Sequence, residues 1–256
     1  MRADQLLVSQ GLAPTRSAAQ RLIAAGAAEW SSTKGWVPIA KAGLDLPEPT
    51  ELRITDDAEL RYVSRGGLKL EGALARSGLD VRGLTVLDIG QSTGGFSDCL
   101  LKAGAVRVVG VDVGHAQLHA SLIGNAHITC LEGLHVRELA GSRLTEYAPD
   151  LGFDLIVGDL SFISMLGALP HLAPWLKPGG QVLLLIKPQF ELGPKHVRRG
   201  GLVKDAKQYP VLEKLARNSA TELGWQVRGY FESAVAGGDG NKEFFLWAGS
   251  PSHDKE

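Results

Sequence analysis

Along the first 25 residues the apolar positions fall at helical spacing: Leu6, Leu7, Leu12, Leu22 and Ile23. The pattern predicts two short helices, over 4–10 and 15–25, broken at Gly11 and Pro14. Thr15 is placed to cap the second helix and Gly26 to end it. A Gly- and Pro-rich stretch with short strand-like pieces follows and ends near 52–55. So few apolar side chains can close only a small module, assigned to residues 1–60.

From residue 61 the pattern changes. Strand-like runs at 85–89, 106–111, 127–131, 153–157 and 181–186 alternate with helical ones at 94–103, 116–122 and 162–172. This alternation predicts an α/β domain with a mostly parallel, doubly wound sheet. A long helix over 207–223 leads into two last strand-like runs, 226–231 and 243–247. A Gly-rich loop without a helix joins that pair, which suits an antiparallel hairpin. The large domain is assigned to 61–250, with 61–64 as linker and 251–256 as a polar tail.

Composition narrows the class. Hydrophobic residues are 44% and charged ones 21%, so the chain can bury a core and is neither disordered nor a coiled coil. The formal net charge of −1 gives no overall attraction to a polyanion, so any nucleic-acid site must come from local patches. Cys99 and Cys130 offer neither a disulfide framework nor zinc spacing and read as small buried apolar residues. The longest strongly apolar run, 182–186, stops at Lys187, whereas a membrane span needs about 20 residues. With no apolar run of signal-peptide length at the start, the expectation is a cytoplasmic protein rather than a pore-former or secreted toxin.

The first strand of the large domain runs into Asp88-Ile89-Gly90-Gln91-Ser92-Thr93-Gly94-Gly95-Phe96. Strand, Gly-rich turn and helix start, in that order, make a ligand site at the carboxyl end of a strand. The glycine spacing does not fit the dinucleotide fingerprint, and no G-K-S/T follows as in a P-loop. Asp112 ends the second strand about 20 residues on, where a carboxylate can take both ribose hydroxyls. An adenosine-containing cofactor without a pyrophosphate is favoured. S-adenosylmethionine fits, with Asp88 available to its positive end. A bare strand-to-helix turn and a nicotinamide site are the alternatives.

Several segments together resemble a known family over nearly the whole chain. Arg2-Ala3-Asp4-Gln5-Leu6-Leu7-Val8, Gly11-Leu12-Ala13, Arg16-Ser17 and Leu22-Ile23-Ala24-Ala25-Gly26 look like the small RNA-binding domain named after ribosomal protein S-four. Tyr62-Val63-Ser64-Arg65-Gly66-Gly67-Leu68-Lys69-Leu70, the 88–96 loop, Asp159-Leu160-Ser161-Phe162-Ile163-Ser164, Lys187-Pro188-Gln189-Phe190-Glu191 and Asn241-Lys242-Glu243-Phe244 resemble the TlyA family with its FtsJ-like methyltransferase domain, also called hemolysins. The resemblance implies a Rossmann-like, S-adenosylmethionine-dependent methyltransferase sheet, mostly parallel with the last strand antiparallel. It also implies a small N-terminal α+β RNA-binding domain. The implied activity is methylation of the ribose 2′-hydroxyl of cytidine in ribosomal RNA, by a monomer acting on a ribosomal subunit or assembly intermediate, without metal or membrane. Three stretches depart from the family pattern. Gln91 stands where a small alanine is usual, Gly133-Leu134-His135 follow Glu132 where Thr and Asn are usual, and Ser31-Ser32-Thr33-Lys34 replace the usual turn. The first two fall at the expected cofactor pocket, the third on the expected RNA footprint.

The family's Lys-Asp-Lys-Glu set maps onto Lys69, Asp159, Lys187 and Glu243. A ribose hydroxyl is a poor nucleophile and must lose its proton near attack. A lysine with an ordinary pKa of about 10.4 is a poor base at neutral pH; burial or a second cation lowers that value and a carboxylate raises it. Lys187 is assigned to take or steer the proton, Lys69 and Asp159 to orient it and hold the ribose, and Glu243 to position a lysine. Read without the family, Lys69 is a solvated charge, Asp159 a helix cap and Glu243 a solvated strand end; Tyr62 and Phe190 read as packing rings. The expected cofactor contacts are Asp88, Gly90, Ser92, Gly94, Gly95, Phe96, Asp112, Glu132 and Asp159. The expected RNA contacts are Arg2, Arg16, Ser17, Gln20, Arg21 and Arg65, with Arg198 and Arg199 from a basic loop that also holds Lys195, His196, Lys204 and Lys207. A binding or assembly factor that has kept the fold and lost the chemistry is the competing reading.

Overall fold

Helix α1 (Ala3–Ser9) and helix α2 (Arg16–Ala24) form where the apolar spacing placed them. Thr15 Oγ1 accepts from Ala18 N at 3.2 Å and so caps α2, and Gly26 leaves the helix at φ +72°. Strands β1 (Ala28–Ser32), β2 (Gly35–Pro38) and β3 (Leu52–Ile54) make a three-stranded antiparallel sheet in the order β2-β1-β3. Leu6, Leu7, Leu22, Ile23, Ile39, Leu46 and Leu52 close a core between helices and sheet. The structure is a computed structural model and describes residues 1–33, 35–198, 201–237 and 240–252. By its contacts the chain divides into two units, Met1–Leu68 and Lys69–Glu256, and the boundary falls inside helix α3 (Arg65–Ser77).

The second unit is built on a seven-stranded sheet. Its strands are β4 (Thr85–Ile89), β5 (Arg107–Asp112), β6 (Ile128–Glu132), β7 (Phe153–Gly158), β8 (Leu176–Ile186), β9 (Gln226–Glu232) and β10 (Phe244–Gly249). They lie in the order β6-β5-β4-β7-β8-β10-β9. The pairs from β6 through β8 are parallel; β10 runs antiparallel to both β8 and β9. Residues 182–186 of β8 are fully buried, which explains why that run reads as continuously apolar. Helices α4 (Gly95–Lys102), α5 (Leu169–Leu172), α6 (Pro188–Glu191) and α7 (Gln208–Glu222) complete the unit. The crossover from β4 to the parallel strand β5 turns at Gly90, where a side chain would come within 2.6 Å of the Asp159 carbonyl.

Two expected helices are corrected. Residues 116–122 hold only a short turn at Ala120–Leu122, because Ala116 sits at φ +51° and the chain wraps back on the 90–94 loop, where His119 N donates to the Thr93 carbonyl. The helix expected over 162–172 is confined to the turn Leu166–Ala168 and α5. Phe162 at φ +67° cannot begin a right-handed helix. The Glu191 carboxylate, accepting from Ser164 Oγ and Met165 N at 2.6 Å each, fixes where the turn starts.

Candidate active site

The carboxyl ends of β4, β5 and β7 open onto a cavity of about 490 Å³. Gly90, Ser92, Asp112, Asp159, Leu134, His135 and Phe162 are among its walls. Asp112 holds the loop in place, accepting from Ser92 N and Gly114 N at 2.7 Å each, one bond per oxygen. Each oxygen keeps a second lone pair for a ribose hydroxyl.

The remaining expected cofactor contacts lie elsewhere. Asp88 is fully buried behind the loop: Oδ2 accepts from Ser97 Oγ at 2.7 Å, while Oδ1 has no hydrogen-bond partner. Burial pushes the Asp88 carboxyl up to about 7, the nearby Asp159 and Asp112 carboxylates add to the rise, and the Ser97 hydrogen bond opposes it. Gly94 turns at φ +88° under Leu118 and Leu122, and Gly95 opens α4; neither lines the cavity. Phe96 is buried and stacks on Phe245 at 6.3 Å, because the first turn of α4 faces the sheet and not the cavity. Glu132 lines a neighbouring depression with Cys130 and Arg143, whose guanidinium donates to the Glu132 carbonyl. Burial, followed by the Glu132 charge, pushes the Cys130 thiol up to about 11, so it stays protonated. Gln91 also misses the cavity. Its side chain fills the space left by Gly110 on β5 and donates to Ser97 Oγ at 2.8 Å. Leu134 and His135, by contrast, form part of the wall.

Lys69, Asp159, Lys187 and Glu243 come together as two ion pairs. Lys187 Nζ lies 2.5 Å from Asp159 Oδ1 and donates to Ser161 Oγ at 2.8 Å. Lys69 Nζ lies 2.6 Å from Glu243 Oε2. Lys69, Lys187 and Glu243 are each less than one-tenth exposed, which removes the reading of Lys69 and Glu243 as solvated charges. Asp159 pairs with Lys187 and caps no helix. The sheet explains the assembly. Asp159 follows Gly158, the end of β7; Lys187 follows Ile186, the end of β8; Glu243 precedes Phe244, which pairs with Ile186. An antiparallel last strand brings its first residue to the edge where the parallel strands end.

Phe162, which drew no assignment from the sequence, stands beside the Lys187–Asp159 pair. It is 88% exposed, holds φ +67° and contacts Phe190 at 5.4 Å between ring centres. It belongs both to the cofactor-sized cavity and to a second depression, with Gln189, Phe190 and Arg198. Lys187 Nζ lies 6.0 Å from the Phe190 ring. Tyr62 packs over Gly67, where any side chain would collide with its ring.

In the first unit three of the expected RNA contacts, Arg2, Arg16 and Gln20, share a buried partner that sequence reading did not single out. Asp4 is fully buried and accepts from Arg2 Nε and Nη2 at 3.0 Å, Arg16 Nε at 2.8 Å and Gln20 Nε2 at 2.9 Å. The Arg2 hydrogen bonds, against the cost of burial, hold the Asp4 carboxyl well below the usual carboxylate range. Ser17, Gln20, Arg21 and Arg65 line a depression of about 320 Å³. Arg198 lies in the second unit, and Lys34 and Arg199 lie outside the described residues.

Strand order, the antiparallel last strand and a cavity at the carboxyl ends with a carboxylate on β5 define the class: an S-adenosylmethionine-dependent methyltransferase. The FtsJ-like methyltransferase family matches residues 62–250, and the S4 domain family matches residues 1–27. The chain belongs to the TlyA family of FtsJ-like methyltransferases with an S4 domain. It is 39% identical to the 16S/23S rRNA (cytidine-2′-O)-methyltransferase TlyA of Mycobacterium tuberculosis, over 96% of this chain and 88% of that one. It is 40% identical to a Bacillus subtilis protein provisionally named rRNA methyltransferase YqxC, over 100% of this chain and 89% of the relative. A solved hemolysin-family structure from Streptococcus thermophilus superposes with a TM-score of 0.73 at 36% identity, covering 99% of this chain and 90% of that one. Among the described residues no helix is long and apolar enough to cross a membrane.

Proposed function

We propose that this protein transfers a methyl group from S-adenosylmethionine to the ribose 2′-hydroxyl of cytidine in ribosomal RNA, working as a cytoplasmic monomer on a ribosomal subunit or assembly intermediate. The observation that carries the reading is the pair of buried lysine–carboxylate contacts, Lys187–Asp159 and Lys69–Glu243, on the sheet edge that bounds the cofactor-sized cavity. A non-catalytic factor would have no use for two buried charge pairs there, since buried pairs cost desolvation and are weak contributors to stability.

The residues fit the cofactor. The cavity has the size of a small-molecule site, and Asp112 keeps acceptor capacity for ribose hydroxyls. When bound, S-adenosylmethionine supplies a methyl group on a positively charged sulfur. The chain's own work is to align and deprotonate the hydroxyl. Asp159 and Ser161 hold Lys187 Nζ from two sides, leaving one direction of the amine for the ribose oxygen. Lys187 would take or steer the hydroxyl proton, so that the ribose oxygen could accept the methyl group that S-adenosylmethionine would supply. Glu243 fixes Lys69 as a second positive charge that orients ribose and phosphate. Phe162 offers its exposed face to the target base, and Arg198 with its loop grips the backbone. Most of the rate comes from alignment.

Lys187 tests this. Lys187→Ala should lower single-turnover methylation by about 10²–10⁴-fold, the range for a lost proton-transfer group, with cofactor and RNA affinity retained. Lys187→Arg should fail as badly across pH 6–9, because a guanidinium with a pKa above about 12 accepts no proton. Near-normal rates for Lys187→Arg would show that positive charge alone suffices and would remove the base from the account.

A further inference from the structure

The residue two positions before Glu243 has no place in the chemistry above. Asn241 is 2% exposed, and both ends of its amide are bound to the backbone of the basic loop. Its Nδ2 donates to the Gly201 carbonyl at 2.9 Å, and its Oδ1 accepts from Val203 N at 3.1 Å. Its own carbonyl accepts from Gly237 N at 2.9 Å. The described residues of the loop also bond to one another. Val197 and Val203 form an antiparallel bridge, Arg198 N donates to the Leu202 carbonyl, Lys204 N donates to the His196 carbonyl, and Lys204 Nζ donates to the Lys195 carbonyl. At its other root the loop leaves α6, whose first turn follows Lys187: Phe190 N donates to the Lys187 carbonyl. The basic loop therefore starts just after one catalytic lysine and is latched just before the carboxylate that holds the other.

We propose that Asn241 is a positioning residue that latches the basic loop to the segment that carries Glu243 into β10, so that grip on the RNA backbone and placement of the Lys69–Glu243 pair are one event. This inference rests on the reading that the loop grips RNA. Only an amide does both jobs at this position: one group donates to a carbonyl and the other accepts from an amide nitrogen, and both partners would otherwise be left without a bond in a buried place. A loop free to move would still carry its charges, but ribose and lysine would no longer be brought to register together.

The test is a double-mutant cycle in the full-length protein, reading RNA affinity and the single-turnover rate at saturating RNA for Arg198→Ala, Asn241→Ala and the double variant. Arg198→Ala should weaken RNA binding by about tenfold, as for a charge-assisted contact. Asn241→Ala should weaken RNA binding similarly and also slow the saturated rate, while cofactor affinity stays put. In the double variant the Arg198 change should add little, since the grip is already uncoupled. Asn241→Asp keeps the acceptor toward Val203 and loses the donor toward Gly201. It should fall between wild type and Asn241→Ala on both readouts, and it decides the matter if the alanine variant does not fold. Losses that multiply in the double variant, or an unchanged saturated rate for both Asn241 variants, would overturn the latch while leaving the RNA-gripping loop standing. If Arg198→Ala binds RNA as wild type does, the reading of the loop fails first and the latch with it.

Discussion

At the scale of single residues, the motif residues and the strained ones tell different stories. Asp159 and Lys187 were legible as charged residues directly after apolar strand runs, at strand ends where α/β sheets build sites, whereas Lys69, inside α3, and Glu243 were picked out only by the family resemblance. Phe162 was not legible. Nothing in Ser161-Phe162-Ile163 announces that the ring will be left in solvent at a positive φ. An aromatic held there costs about 1–3 kcal/mol of backbone strain, and the structure keeps it beside Lys187 and Phe190. Phe162→Gly should therefore unfold at the same or a higher temperature than wild type while raising KM for RNA, since stacking a base is worth about 1–3 kcal/mol. Thermal unfolding together with steady-state methylation checks both halves; a lower unfolding temperature with unchanged KM would make Phe162 a packing residue. Gln91 illustrates the opposite error. The family pattern put it at the expected cofactor pocket in place of a small residue, but the gap left by Gly110 draws its side chain down to Ser97.

At the scale of elements, α1, α2, α4 and α7 lie where the sequence put them, and the runs at 116–122 and 162–172 do not hold the continuous helices expected of them. Helix α2 has Thr15 as its cap and Ala18, Ala19, Leu22 and Ile23 on its buried face. The run at 116–122 has no such stripe, and its leucines Leu118 and Leu122 are spent packing on Gly94. The start of α3 carries Gly66 and Gly67, which hid a helix running from Arg65 to Ser77. Helix α1 depends on Asp4, whose carboxylate gathers Arg2, Arg16 and Gln20. With a depressed folded value, Asp4 stabilises the fold at pH above its unfolded pKa of about 4. That contribution is lost as pH falls below it. Thermal unfolding from pH 7 to pH 3 should show this loss in wild type and less of it in Asp4→Asn. The same variant should bind RNA about tenfold more weakly, because two arginines and a glutamine must then be ordered on binding. Unchanged affinity would mean that these three side chains do not form the RNA face.

At the scale of the whole molecule, the sequence showed two kinds of domain because its apolar patterning changes near residue 61, and the contacts divide the chain at Leu68 and Lys69. The first unit offers arginines organised around a buried acid; the second offers a cavity, two ion pairs and an exposed ring. Such a division suits a small unit that places the RNA and a large one that performs the transfer. The central claim is the chemical identity of the methylated group. The full chain, incubated with ribosomal RNA and S-adenosylmethionine carrying a labelled methyl group, gives RNA that can be digested to nucleosides and separated. The account predicts label in 2′-O-methylcytidine. Label in a base-methylated nucleoside, or none at all from protein that binds the cofactor, would contradict it.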